Sequence, residues 1–145
     1  MTTRVVLTEH HRAALAALIS NQPLPFTAEV VKGKRRSVEQ NRLQRRLINE
    51  IAEQTGQTAE EVRALCKLTI GVPILRASNE LFAEKYDRII KPLPYETKLE
   101  VMAEPIDFPV TRLMSTAQKV EYLDSIYRTF STKGVVFSED RERAQ

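Results

Sequence analysis

Ser37-Val-Glu-Gln-Asn-Arg-Leu-Gln-Arg-Arg-Leu-Ile-Asn-Glu-Ile-Ala-Glu-Gln-Thr55 is the stretch on which the fold turns. Ser37 and Gln40 stand at capping-box spacing, in which a serine oxygen accepts from the amide three residues on and the glutamine reaches back. The spacing predicts a helix beginning at Ser37. At about 100° per residue, Leu43, Leu47, Ile48 and Ile51 gather in one apolar stripe. Arg42, Arg45 and Arg46 fall on the opposite side beside Asn49. One face is written for a core and the other for solvent, and Gly56 offers the exit.

Two more boxes flank this helix. Thr58-Ala-Glu-Glu61 starts a helix expected to end near Gly71 and Pro73. Ser115-Thr-Ala-Gln118 opens one from Ala117 to Phe130, stopped by Lys133-Gly134. Upstream, Thr8 caps an alanine-rich run from Glu9 to Ile19, and the prolines between Asn21 and Pro25 end it. Leu81, Phe82, Tyr86 and Ile89 give helical spacing to Ser78–Ile90. Pro92, Pro94, Pro105 and Pro109 break the next stretch into short pieces, and Tyr95–Met102 reads equally as helix or strand. Arg4–Leu7, Phe26–Val31 and Val135–Phe137 read as short strands. The fold expected is α+β, a predominantly helical single domain with a small β-sheet over residues 1–138. A charged flexible tail occupies 139–145.

A chain of 145 residues, 42% hydrophobic and 28% charged, suits one soluble domain. No run approaches the roughly 18 apolar residues of a membrane helix. The opening Met1–Leu7 lacks the layout of a signal peptide, so a cytoplasmic setting without membrane contact is expected. Cys66 is the single cysteine, which excludes an internal disulfide. Its position among Val62, Leu65 and Leu68 reads as a buried apolar site. His10 and His11 are adjacent and cannot share a helix face. Glu80, Glu84 and Asp87 lie at helical spacing that could hold magnesium, but read better as a solvated face paired with Lys85 and Arg88. No nucleophile elbow, phosphate-cradling glycine loop or deaminase signature is present. No metal, cofactor or catalytic residue is expected, and the chain reads as a binding protein rather than an enzyme.

Charge carries the functional reading. Lys32 to Arg46 holds seven basic residues and one acid, a net +6, against +3 for the whole chain, so the remainder carries −3. Such segregation is the electrostatic footprint of a surface that meets phosphates. The candidate site is Lys34, Arg35, Arg36, Ser37, Gln40, Asn41, Arg42, Arg45 and Arg46. The arginines would grip phosphates, Ser37 would fix the helix start, and Gln40 and Asn41 would lie nearest a nucleotide. The rival reading is a solvated face paired with Glu39, Glu50 and Glu53. Gln40 and Gln44 fall within the apolar stripe, where a capping role and a rim position are the plainer readings. Phe26 and Tyr95 are the aromatics considered for stacking.

Arg36-Ser-Val-Glu-Gln-Asn-Arg42 resembles the Arg-Ser-Leu-x-Gln-Asn motif of the NinB (lambda Orf) and YbcN-like family of phage and prophage recombination proteins. Thr58-Ala-Glu-Glu-Val62 resembles the helix start that comes after the motif. Val110-Thr-Arg-Leu-Met-Ser-Thr116, Glu121-Tyr-Leu-Asp-Ser-Ile126 and Lys133-Gly-Val135 resemble the family's C-terminal helix and closing segment. The likeness runs from about residue 34 to 138, while Gly71–Leu75 and Lys91–Tyr95 depart from it. It implies a small α+β homodimer that binds single-stranded DNA. It also implies work alongside host single-strand-binding or recombination proteins. Arg36, Ser37, Gln40 and Asn41 are the motif residues carried over. Two other classes stay in view: a structure-selective nuclease or nucleotide-flipping enzyme, and a duplex-reading regulator built on the two helices of residues 37–70. The second of those helices offers only Arg63 and Lys67 as cations, which is sparse for a recognition helix.

Overall fold

The computed structural model describes residues 4, 6, 8–30 and 35–143, with side chains at 35–37, 142 and 143 outside that description. The chain divides into two compact units, Met1–Glu39 and Gln40–Gln145. Among the described residues no helix is long and apolar enough to cross a membrane.

In the first unit, α1 spans Glu9–Ser20, and the Thr8 hydroxyl accepts from the His11 amide at 3.2 Å. Thr8 thus satisfies one of the donors that a helix start leaves open. The helix stops at Asn21, before Pro23. Among the described residues neither flanking segment is a strand: Arg4, Val6 and Phe26–Val30 are irregular, and residues 5, 7 and 31 of those expectations lie outside the described ones.

The second unit is helical. After α2 (Arg35–Thr55) come α3 (Ala59–Cys66), a π-helical turn (Lys67–Gly71), α4 (Val72–Ser78) and α5 (Glu80–Ile89). Next are α6 (Tyr95–Met102), a 3-10 turn (Thr111–Leu113), α7 (Thr116–Thr132) and α8 (Ser138–Arg143). Gly56 ends α2 with φ +75°, a conformation costly to a residue with a Cβ. Thr58 and Ser115 form complete capping boxes, as their spacing predicts.

Four expectations are corrected. Among the described residues there is no strand, so the small β-sheet is replaced by an all-helical arrangement. Val135 and Phe137 do alternate inward with Val136 outward, as a strand would. The partner of the Val136 backbone, however, is the Gln54 side chain, whose amide donates to the Val136 carbonyl at 2.8 Å and accepts its N–H at 2.9 Å. The Val135 amide donates to the Phe130 carbonyl at 3.0 Å and the Phe137 amide to Asp140, so the segment is satisfied without a second strand. Secondly, Arg35 and Arg36 are already helical, so Ser37 lies within α2 rather than at its cap. Thirdly, the helical run does not stop at Gly71 and Pro73. A π turn joins α3 to α4, with the Val72 amide donating five residues back to the Lys67 carbonyl. Pro73, which has no N–H to give, directly follows the π turn at the beginning of α4. Fourthly, the segment read as a tail is helical over Ser138–Arg143.

Two apolar clusters fill this unit. Leu47, Ile48, Ile51 and Ala52 of α2 pack with Val62 and Cys66 of α3 and with Tyr122, Leu123, Ile126 and Phe130 of α7. Ala64, Leu68, Val72, Leu75, Phe82 and Tyr86 form the other, with Met102 and Val110. Helix α3 contributes to both, and Met114 packs against both. Each fully buried aliphatic side chain stabilises the fold by about 1.5–3 kcal/mol. The cluster around α2 therefore holds its apolar face firmly inward and leaves its arginines outside.

Candidate nucleic-acid interface

The buried stripe orients α2. Leu47, Ile48 and Ile51 are enclosed and Leu43 packs at the edge, which turns Arg42, Arg45 and Asn49 to solvent. Arg42, Arg45, Arg46, Asn49, Glu50 and Glu53 line a shallow, open depression on that face. Among the described residues, Arg42 and Arg45 make no ion pair. Arg46 does: its Nη2 donates to the Glu139 carboxylate at the start of α8. Glu50, one of the two acids of the depression, accepts the Ser138 amide at 3.2 Å.

The other candidate residues are distributed differently. Arg35, Arg36 and Ser37 lie within α2, and their side chains are outside the described ones, as is Lys34 altogether. Gln40 is half-buried and Asn41 exposed, and neither lines the depression. Gln44, also half-buried, accepts from the Lys119 ammonium across the α2–α7 contact, so it serves packing and not a cleft. Tyr95 is exposed at the start of α6, and Phe26 is exposed in the first unit.

A second charged cluster was not anticipated, and it closes on itself. Lys67, only 2% exposed, donates to the Met102 carbonyl at 2.7 Å and to Asp107 Oδ1 at 2.6 Å. Arg63 reaches the same Asp107 oxygen at 2.9 Å and grips Glu60 with two bonds of 2.9 and 2.7 Å. The Lys67 bond, with Arg63 beside it, holds the Asp107 carboxyl below its usual range. The Arg63 bond does the same for Glu60, and burial pushes the Lys67 amine down. Glu60, Arg63 and Lys67 share one helix face at spacings of three and four, a pattern visible in the sequence. The distant Asp107, with φ +46°, was not. The cluster ties α3 to the loop after α6.

This arrangement bears on the rival readings. Both cations of the second helix in the 37–70 pair are engaged internally, so neither is available to read a duplex. Asp87, one of the acids considered for magnesium, is held by Arg76 through two bonds of 2.9 Å. Among the described residues no three of His, Cys, Asp and Glu are grouped to hold a metal ion. Cys66 is buried, and burial pushes its thiol up to about 12, which makes it a packing residue rather than a nucleophile at neutral pH. No protein-family model, curated protein or solved structure matches this chain.

Proposed function

We propose that this protein is a non-enzymatic accessory of phage or prophage DNA recombination that holds single-stranded DNA by its backbone along the outer face of α2. The observation that carries this reading is the pair Arg42 and Arg45, exposed one helical turn apart with no carboxylate engaging either among the described residues. Residues three apart on a helix stand about 5–6 Å apart at Cβ, close enough for two guanidinium forks to act on one stretch of backbone. The charge segregation of Lys32–Arg46 supports the same face. Contacts of this kind select phosphate over sequence, which suits a protein that must bind any exposed strand and hand it to host recombination or single-strand-binding partners. A homodimer would present the face twice and raise its avidity.

The test is a titration of a labelled single-stranded oligonucleotide at several salt concentrations. Each phosphate neutralised contributes about 0.7 to the slope of log affinity against log salt. Arg42→Gln with Arg45→Gln is expected to reduce that slope by about 1.4 and to weaken binding roughly tenfold at low salt. A folded double variant with wild-type affinity and slope sinks the site. Magnesium-dependent cutting of branched DNA would instead point to a nuclease.

A further inference from the structure

Helix α8 is fastened beside the arginine face by its first turn. The Ser138 amide donates to Glu50, and the Phe137 amide donates to Asp140 Oδ2 at 3.3 Å. The Tyr127 hydroxyl donates to the other oxygen of Asp140. These bonds set Glu139 directly on Arg46, 93 residues away in the chain. The pair is partly exposed, with 47% of the arginine side chain and 34% of the glutamate side chain open to solvent. Glu139 also makes poor use of its position. Its Oε2 is buried and finds no hydrogen-bond partner among the described residues, an arrangement that favours exchange of the carboxylate for a better one.

A phosphate is such a replacement. It carries acceptor oxygens on every side and meets the planar guanidinium fork through two bonds. Partly exposed ion pairs contribute little to stability, so giving one up is not prohibitive. We propose that α8 is a built-in competitor for the phosphate-binding face, with Glu139 standing on Arg46 where a nucleic-acid phosphate would otherwise sit. The idea rests on the reading of the α2 face given above and adds its regulation. Nucleic acid engages Arg42 and Arg45 first and gains Arg46 only by displacing the carboxylate.

The competitor leaves a thermodynamic signature. When a phosphate takes Arg46 from Glu139, the freed carboxylate recruits a cation, which cancels the counterion that the phosphate releases. Without Glu139 that contact contributes its full share, about 0.7, to the salt slope. Glu139→Gln is therefore expected to bind a labelled oligothymidylate more tightly than wild type and with a slope steeper by about 0.7. Its advantage should grow roughly 2.6-fold between about 200 and 50 mM salt. Arg46→Gln should remove the gain, so that the Glu139→Gln, Arg46→Gln double variant binds no more tightly than Arg46→Gln alone.

Three results overturn the proposal. Wild-type affinity and slope in Glu139→Gln, with binding still sensitive to Arg42→Gln and Arg45→Gln, would remove the competitor and leave the DNA reading standing. A gain that persists in the Glu139→Gln, Arg46→Gln double variant would mean general charge relief rather than competition for Arg46. Absence of oligothymidylate binding by the wild-type protein, or indifference to Arg42→Gln and Arg45→Gln, would remove the underlying reading and the competitor with it. Circular dichroism of each variant establishes that the helices are intact.

Discussion

Lys119 is 9% exposed, and among the described residues no carboxylate pairs with it. It stands on the inward face of α7 with Tyr122, Leu123, Ile126 and Phe130, held by Gln44 and lying 6.0 Å from the Tyr122 ring centroid. Burial pushes its amine below the usual lysine range. The sign of the consequence comes from proton counting. Between the depressed folded value and the unfolded value of about 10.4, the unfolded chain binds more protons, so stability rises with pH through that window. Below the window the folded state carries a buried charge at a cost. Lys119→Met, which keeps the length and drops the charge, is expected to raise stability at pH 7 by about 1–2 kcal/mol and to flatten the rise toward pH 10. Urea unfolding at a series of pH values measures both, and an unchanged pH dependence would refute the assignment. The position of Lys119 on an apolar face was legible in the spacing. Its burial was not, because a lysine there ordinarily runs its stem along the surface and keeps its ammonium in water. Glu139 left no local signal at all, since its partner is remote in sequence.

Local signals fared according to how local they were. The boxes at Thr58 and Ser115 involve only atoms three residues apart, and both form as their spacing requires. Ser37 has the same spacing, but Arg35 and Arg36 are good helix formers and nothing in them stops the helix from starting earlier. The π turn is a case where packing overrides a local stop. Gly71 has no side chain, and a Cβ built there would lie 2.6 Å from Val110 Cγ1 and 3.3 Å from Tyr122 Cε1. The glycine is thus needed for close approach inside a continuous helical run, whereas the sequence alone offered it as a terminator. Gly71→Ala would gain about 1 kcal/mol of helix propensity and lose more to overpacking. The expected net is a loss of about 1–2 kcal/mol in thermal or urea unfolding, partly recovered by Val110→Ala. A variant more stable than wild type would show that the turn has room to spare. For Val135–Phe137 the apolar run suggested a strand that does not form, and no sequence rule reveals that the Gln54 side chain bonds the Val136 backbone instead.

In the Gln40–Gln145 unit, the two apolar clusters are joined through α3, whose Val62 and Cys66 face one while Ala64, with Leu68 of the π turn that follows, faces the other. Met114 adds a second link. The Glu60–Arg63–Asp107–Lys67 network fixes α3 to the loop beside the second cluster. An element shared in this way cannot leave one cluster without exposing the other, so the unit should unfold as one cooperative body. Ile51 offers a direct test, because it is fully enclosed and belongs to the first cluster. Ile51→Ala removes buried methyl groups and leaves a cavity, at a cost of about 2–5 kcal/mol. Cooperative unfolding requires that cost to appear equally in the amide protection of α7, which borders the cavity, and of α5, which belongs to the other cluster. Native-state hydrogen exchange resolved by helix reads the two separately. Loss confined to α7 would mean that the clusters open independently, and that the α2 face is carried by a sub-unit able to move without α5.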